Sequence, residues 1–224
     1  MPAAVERLEV PGADLPAVRG FVHRPPLPLG EGLVLTHGAG GDCQAPILVE
    51  LAGRFAEDGF VVIRCDLPYR QARRRGPPAR GGAARDRQGL RHAAQIAGEL
   101  VGGRVSLGGL SYGGRQASML VADDPGLVGA LLLLSYPLHP PMQPQRSRTE
   151  HFPRLQRPTL FVHGDHDPFG SLEELDRARA LIPAKTDVLV VRPAGHDLGY
   201  ARAAGGVQPA LSSRVVAAFR SLLA

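Results

Sequence analysis

The sequence has no long apolar run. Its longest, residues 127–134, has the length of a strand, whereas a helix needs about 20 apolar residues to span a bilayer. Residues 1–10 carry Glu6 and Glu9 and lack the apolar centre of a signal peptide. We therefore expect a cytoplasmic protein that does not associate with a membrane.

Cysteine and lysine are scarce as well. Cys43 and Cys65 are too few for a disulfide framework, and neither has the spacing of a zinc site. Lys185 is the only lysine among the 26 basic residues, so arginine accounts for the net charge of +5. Because arginine, alanine, glycine and proline are all abundant, this bias indicates a GC-rich genome as much as a function.

The chain also lacks internal repeats and linkers. Its 224 residues, 44% hydrophobic and 21% charged, have the size and balance of one globular domain. We therefore expect a single domain over residues 1–224.

The sequence does contain an alternation of apolar runs and helical patterns. Strands are predicted over residues 33–35, 60–65, 105–110, 129–135, 159–163 and 187–191, and helices over residues 47–55, 90–101, 113–122, 172–181 and 211–223. Repeated strand–helix units indicate an α/β fold, a mainly parallel sheet with helices on both faces. Residues 7–10 and 18–23 precede any helix and predict an antiparallel ribbon at the sheet edge.

Two segments interrupt this alternation. Residues 70–91 contain eight arginines and one acid, Asp86, and residues 137–158 are rich in proline and polar residues. We expect both to be loops over the carboxyl edge of the sheet, where open α/β sheets bind ligands. The second is too short to form a large lid domain.

The arginine-rich segment has three interpretations. It is a solvated surface loop, or it recruits an anionic substrate, because arginine binds carboxylates bidentately, or it contacts nucleic acid. The last is the least supported, since no nucleic-acid-binding motif and no interleaved aromatic residues accompany it.

The strongest motif for chemistry is Gly109-Leu110-Ser111-Tyr112-Gly113, a G-x-S-x-G sequence between an apolar strand and a predicted helix. A serine at such a sharp turn has strained backbone angles, and the two glycines let the chain pass without Cβ clashes. The turn exposes the hydroxyl and directs a helix N-terminus at it, which favours developing negative charge. Ser111 is therefore the predicted nucleophile.

A serine nucleophile needs a base and an acid, which in this arrangement follow it in the order acid, then histidine. His196 is the only histidine after His166, so it is the predicted base. The acid has two candidates, Asp165 and Asp167. Asp167 is favoured because the acid commonly stands three residues after the glycine that ends the strand.

The same loop has a second interpretation. His163, Asp165, His166 and Asp167 could be metal ligands, since imidazole and carboxylate suit several metals. A hydrolytic site already accounts for the loop, so we expect no metal.

Two backbone N–H groups are needed to stabilise an oxyanion. One is predicted to be that of Tyr112, directly after the nucleophile. The other is expected in residues 37–42, where small residues let the backbone approach a substrate. Ala39 is the first choice and Gly40 the second, and a flexible glycine turn without function is the alternative.

Seven segments carry a resemblance to known proteins. They are THGAGGD (36–42), LPYRQARRRGPP (67–78), GGLSYGGR (108–115), YPLHPP (136–141), RTEHFPRL (148–155), TLFVHGDHDPFG (159–170) and AGHDL (194–198). Together they resemble the α/β-hydrolase superfamily and its small dienelactone-hydrolase-like group. The closer match is to the family that includes a testis-expressed protein and a subunit of the NSL chromatin complex.

The resemblance implies an α/β-hydrolase fold, with Ser111 as nucleophile, Asp167 as acid and His196 as base. The leading hypothesis is therefore hydrolysis of a small-molecule ester or thioester through an acyl-enzyme, without a metal or organic cofactor. Two alternatives stay open: a binding or scaffold protein that retains the fold, and an acyltransferase that uses the same residues. The presence of serine, aspartate and histidine together argues against a scaffold protein, because a scaffold does not need all three residues.

Overall fold

The computed structural model describes residues 3–79, 81–200 and 209–224. In these residues eight strands and six α-helices follow one another along the chain. The strands are β1 (Ala4–Val10), β2 (Val18–Arg24), β3 (Glu31–Thr36), β4 (Phe60–Cys65), β5 (Arg104–Leu110), β6 (Ala130–Leu134), β7 (Thr159–Gly164) and β8 (Thr186–Val191). The α-helices are α1 (Pro46–Glu57), α2 (Pro68–Ala72), α3 (Ala83–Val101), α4 (Tyr112–Asp123), α5 (Leu172–Arg179) and α6 (Pro209–Leu223), and Phe152–Arg154 form a short 3-10 helix.

The eight strands form one sheet in the order β1-β2-β4-β3-β5-β6-β7-β8. β2 is antiparallel to both of its neighbours, β1 and β4, and every other adjacent pair is parallel. The predicted antiparallel ribbon at the sheet edge is therefore confirmed. Parallel strands need crossover connections, and here the crossovers place helices over both faces of the sheet.

Two apolar layers hold the helices against the sheet. On one face α1 and α6 pack on the strands, and Phe55, Phe60 and Phe219 meet there with ring centroids 5.2 to 6.5 Å apart. On the other face α3, α4 and α5 pack on the strands. Every residue of β6, with the sequence ALLLL, is buried, as expected for a strand covered on both sides. Burial of each such side chain contributes about 1.5–3 kcal/mol, so these layers dominate the stability of the sheet.

The arginine-rich segment differs from its prediction as a loop. Much of it is helical, in α2 and α3, and among its described residues only 73–79 and 81–82 lack regular structure. Arg80 lies outside the described residues. Arginine has a high helix propensity, and Asp86 stands in the first turn of α3, where the helix dipole favours an acid. Its carboxylate also accepts the Tyr69 N–H (3.1 Å), which ties α2 to α3. Residues 137–158 contain only the 3-10 helix and otherwise match their prediction.

The carboxyl ends of the parallel strands lie at one edge of the sheet, and the predicted site residues follow them. Residues 37–42 come after β3, Ser111 after β5, both candidate acids after β7, and His196 after β8. The topology alone therefore brings these distant parts of the sequence to one edge.

Both cysteines are buried free thiols. Burial raises the pKa of Cys43 to about 12, so this thiol stays protonated and inert at neutral pH.

No helix in the described ranges combines the length and apolar character required to cross a bilayer.

His23 of β2 is buried and neutral. Its Nε2 accepts a hydrogen bond from Arg64 Nε (2.7 Å), and the Arg64 guanidinium also donates to the Cys43 carbonyl (2.7 Å). Burial and then the charge of Arg64 lower the pKa of His23 to about 4. A histidine in the unfolded chain titrates near about 6.5, so unfolding in mild acid takes up a proton that the native state does not bind.

We predict that the free energy of unfolding falls as the pH drops from about 6.5 towards 4, by up to about 1.4 kcal/mol per pH unit from His23 alone. The pKa is lower in the native state, so the full stability is present above the unfolded pKa and is lost below it. His23→Gln keeps a hydrogen-bond acceptor but does not titrate. The free energy of unfolding in urea should therefore change less between pH 7 and pH 5 in this variant than in the wild type. His166→Gln, at an exposed position, is the control, and equal pH slopes in all three proteins would contradict the prediction.

Candidate active site

Ser111 stands at the turn between β5 and α4. Its φ of 51° and ψ of −112° are unusual for a residue with a side chain. The Ser111 N–H donates to the Leu134 carbonyl of the neighbouring β6 (2.8 Å), and its carbonyl accepts the Arg115 N–H (2.9 Å). The strained turn is therefore held by the sheet on one side and by the helix on the other.

The two glycines of the motif stand where the chain passes closest to itself. A Cβ on Gly109 would lie 2.7 Å from backbone atoms of Gly113 and Gly114. A Cβ on Gly113 would lie 2.5 Å from the His37 carbonyl oxygen. Contacts this short do not occur for real Cβ atoms, so both positions require glycine, as the motif predicts.

His196 lies between Ser111 and Asp167 and contacts both. Its Nε2 is 2.8 Å from Ser111 Oγ, and its Nδ1 is 2.8 and 3.0 Å from the two Asp167 carboxylate oxygens. A carboxylate can only accept a hydrogen bond, so Nδ1 carries the proton and Nε2 is left to accept from the Ser111 hydroxyl. The Phe169 ring packs against the imidazole at a centroid distance of 4.2 Å and restricts its orientation.

The two candidate acids have different surroundings. The Asp167 side chain has no exposed surface, and it accepts the Phe169 N–H (2.9 Å) as well as the His196 contact. Asp165 accepts the Ala194 N–H (3.0 Å), and this hydrogen bond holds the pKa of Asp165 below its usual range. Asp165 therefore ties the loop after β7 to the loop after β8, which carry Asp167 and His196.

The loop after β3 runs directly beside Ser111. A Cβ on Gly38 would lie 3.5 Å from Ser111 Cβ. The Gly38 carbonyl accepts from three donors: His37 Nδ1 (2.8 Å), the Tyr69 hydroxyl (3.2 Å) and the Gly41 N–H (3.2 Å). Because His37 Nε2 accepts a backbone N–H (3.1 Å), the imidazole is a fixed neutral tautomer, and burial lowers its pKa. The direction of the Gly38 peptide is thereby determined.

The backbone N–H groups of Ala39 and Tyr112 have directions that the neighbouring peptide and helix determine. In a planar trans peptide the N–H points opposite to the preceding carbonyl, so the Ala39 N–H points away from the three donors on Gly38. Tyr112 is the first residue of α4, and an N–H at that position has no partner within its own helix. Gly40, the second choice from the sequence, is exposed.

Sequence reasoning assigned no role to a group of residues behind this loop. The Tyr69 hydroxyl donates to the Ala39 carbonyl (3.0 Å), and the Arg70 guanidinium donates to the Ala39 (3.2 Å) and Gly41 (2.8 Å) carbonyls. The fully buried Asp86 accepts both the Tyr69 N–H and the Tyr112 hydroxyl (2.8 Å). Burial raises the pKa of Asp86, and these hydrogen bonds oppose the rise. A signal was present in the sequence, since Asp86 is the one acid among eight arginines.

The side chains considered as metal ligands have separate protein partners. His163 Nε2 lies 2.7 Å from the Gly170 carbonyl, and His166 pairs with Asp165 (2.9 Å). Within the described residues no group of three histidine, cysteine, aspartate or glutamate side chains is placed to hold a metal ion.

This sheet order, with a serine turn after β5 and a histidine loop after β8, defines a fold of the α/β serine hydrolase type. A family described as "Alpha/beta hydrolase domain" matches residues 30–224, and the chain belongs to that family. The predicted α/β-hydrolase fold, without a large extra domain, is thereby confirmed.

Solved structures with the same fold cover nearly the whole chain. A dienelactone hydrolase from Anabaena variabilis is 18% identical, with 99% of each chain covered and a TM-score of 0.77. Est1E from Butyrivibrio proteoclasticus is 12% identical, with 97% of this chain and 98% of that chain covered and a TM-score of 0.73. XC6422 from Xanthomonas campestris, described as an α/β serine hydrolase without a lid, is 15% identical. The match covers 99% of this chain and 95% of that chain, with a TM-score of 0.69. At these identities the likeness shows the fold.

We predict that Gly113→Ala destabilises the protein by about 1–3 kcal/mol, because the added methyl group would overlap the His37 carbonyl. Gly53→Ala is the matched control: it adds the same group within α1, where nothing lies within 4 Å, and should be neutral or stabilise by up to about 1 kcal/mol. Urea unfolding of both variants measures the difference. A similar effect at the two positions would show that the close approach at Gly113 is easily relaxed.

Proposed function

We propose that the protein is a serine hydrolase that cleaves carboxylic esters or thioesters, with Ser111 as nucleophile, His196 as base and Asp167 as acid. The observation that carries the proposal is the continuous contact from Ser111 Oγ through the His196 imidazole to the Asp167 carboxylate. Each contact is within hydrogen-bonding distance, as the chemistry of an activated serine requires.

The proton moves along this line in the proposed reaction. His196 Nε2 takes the proton from Ser111 as Oγ attacks the substrate carbonyl carbon, and a tetrahedral oxyanion forms. Collapse of the oxyanion expels the alcohol or thiol, which receives that proton, and leaves an acyl-enzyme on Ser111. His196 then takes a proton from water, whose oxygen attacks the acyl carbon to form a second oxyanion. When this oxyanion collapses, the bond from Ser111 Oγ to the acyl carbon breaks, Oγ takes the proton back from His196, and the acid is released. Asp167 holds the imidazole in the required tautomer and stabilises its positive charge.

The Ala39 and Tyr112 amides are the proposed oxyanion donors. The Ala39 N–H points away from the donors that occupy the Gly38 carbonyl, and the Tyr112 N–H is at the positive end of α4. Donors that are fixed before the reaction need no reorganisation when charge develops, which is the source of their effect. Residues 69–70 and Asp86 fix the backbone from behind.

The proposed substrate class follows from the absence of a large lid domain in the described residues and from the related structures. Among those, Est1E has been solved with ferulic acid bound, and the Anabaena variabilis protein is called a dienelactone hydrolase. Without a large lid domain, the site suits small or extended acyl groups.

The seven sequence segments quoted above further lead us to propose that the protein is related to the family of the testis-expressed protein and the NSL-complex subunit.

We predict that a fluorophosphonate probe labels the wild-type protein and that Ser111→Ala abolishes the labelling. Hydrolysis of 4-nitrophenyl butyrate should fall at least about a thousandfold in this variant, since the remaining groups give only residual catalysis. Ser213→Ala, on α6, is the control and should behave like the wild type. Equal labelling of Ser111→Ala would refute the assignment.

The same experiment separates the two rival functions. A scaffold protein would show neither labelling nor turnover of any ester in a broad panel. An acyltransferase would be labelled, but with an added alcohol acceptor it would yield a new ester in place of the free acid.

The assignment of the acid is tested by comparing Asp167→Asn with Asp165→Asn. In Asp167→Asn the amide no longer fixes the His196 tautomer, so kcat should fall by about 10³–10⁴. In Asp165→Asn the amide oxygen still accepts the Ala194 N–H, and kcat should fall less than about tenfold. The reverse order of effects would make Asp165 the acid.

A further inference from the structure

We propose that Arg115 and Arg148 form an anion subsite beside Ser111 that binds a carboxylate group of the substrate. This inference rests on the proposed function and narrows it to esters or thioesters that carry a free carboxylate. The two arginines lie outside the arginine-rich segment, and neither is part of the proton-transfer line.

Arg115 lies on α4 one turn after Ser111, and its N–H donates to the Ser111 carbonyl (2.9 Å). Side chains on a helix lean towards its N-terminus, so the Arg115 guanidinium is directed towards the end of α4 that carries the serine. Its Nε is buried and has no hydrogen-bond partner among the described residues. A buried donor without an acceptor destabilises the protein, and a ligand carboxylate bound by this guanidinium would offset that cost.

Arg148 is held against the same helix. Its carbonyl accepts the Tyr136 hydroxyl (2.7 Å), and its N–H donates to the Leu138 carbonyl (2.8 Å). The backbone of Arg148 is therefore fixed while its side chain remains without an ion-pair partner in the described part of the chain.

A bridge between the two segments fixes their distance. The Ser118 hydroxyl donates to the Arg115 carbonyl (3.0 Å) and also contacts His151 Nε2 (2.8 Å). His151 and Arg148 belong to the same short segment, so this contact holds the segment that carries Arg148 against α4. Burial and then the charge of Arg115 lower the pKa of Arg148, as expected for two guanidiniums that lie close together at a partly buried position.

The acidic groups in this region do not neutralise the pair. Asp123 pairs with Arg154 (3.0 Å), and Asp86 is hydrogen-bonded to the two tyrosines. Glu150 is exposed and forms no ion pair with an arginine in the described residues, and its charge opposes only part of the effect of Arg115 on the pKa of Arg148. His151 adds no compensating charge, because burial and then Arg115 lower its pKa to about 4.

Positive charge therefore accumulates around the first turns of α4, the helix that follows Ser111. Arg87 donates a hydrogen bond to Gln116 of α4 (3.0 Å), and Arg146 adds a further positive charge near Arg148. A carboxylate fits this surrounding, because its two oxygens match the planar fork of a guanidinium and its charge relieves the repulsion between the arginines.

The subsite is tested with two pairs of esters that differ by one carboxylate. Mono-4-nitrophenyl glutarate against 4-nitrophenyl butyrate places the carboxylate in the acyl part, and 4-(butanoyloxy)benzoate against phenyl butyrate places it in the leaving group. We predict that the wild type prefers the anionic member of at least one pair in kcat/KM. Arg115→Met and Arg148→Met should each lower that preference by about tenfold to hundredfold, mainly through KM, as expected for a charged hydrogen bond.

Arg154→Met is the matched control, since it removes the same charge nearby from an exposed ion pair. It should leave the preference unchanged. Arg115→Lys keeps the charge but loses the fork, so it should recover part of the preference. Thermal unfolding and fluorophosphonate labelling verify that each variant is folded with a reactive serine.

The outcomes separate this inference from the proposed function. Hydrolysis of neutral esters without any preference for the anionic ones, or an equal effect of Arg154→Met, would overturn the subsite and leave the hydrolase standing. No labelling and no turnover of any of the four esters would overturn the proposed function itself. Stronger competition by inorganic phosphate than by glutarate against 4-nitrophenyl butyrate would overturn the choice of a carboxylate.

Discussion

The close approach of two backbone segments at the start of α4 is the constraint on which the rest of the site depends. Gly109 and Gly113 let β5 and α4 touch, so the chain changes direction at Ser111 alone, with a φ of 51°. Because the Ser111 N–H is bonded to Leu134 of β6, the serine is fixed to the sheet. His196 follows β8 of the same sheet, so nucleophile and imidazole share one rigid frame.

A second set of contacts extends this rigidity to the loop after β3. Tyr69 and Arg70 donate to carbonyls of that loop, and Asp86 holds Tyr69 in turn. Each buried polar group would cost about 1–3 kcal/mol if left without a partner, so the set is stable only as a whole. Because the arginine-rich segment is helical, α2 and α3 present these side chains at fixed positions.

Local patterns predict much of the fold but only part of the site. The sequence predicts β4 over its observed span, because a strand covered on both faces is an uninterrupted apolar run. The order of Ser111, Asp167 and His196 is also readable, since each follows an apolar strand and parallel strands share their carboxyl edge. The start of α3 and the contacts of Tyr69 and Asp86 depend on segments far apart in the sequence. Asp86 stands out as the one acid among eight arginines, but the sequence alone does not show that its carboxylate is buried against Tyr69 and Tyr112.

The surroundings of each arginine separate structural cations from available ones. In residues 70–91, Arg70 donates to backbone carbonyls and Arg87 to a glutamine of α4, so these guanidiniums already have acceptors. Arg115 lies one turn after Ser111 on α4, and neither Arg115 nor Arg148 forms an ion pair in the described residues. Arginines that already have acceptors hold the backbone of the site in place, whereas the two without a carboxylate partner are those that we propose to bind a ligand. For these two, a substrate can supply the missing charge.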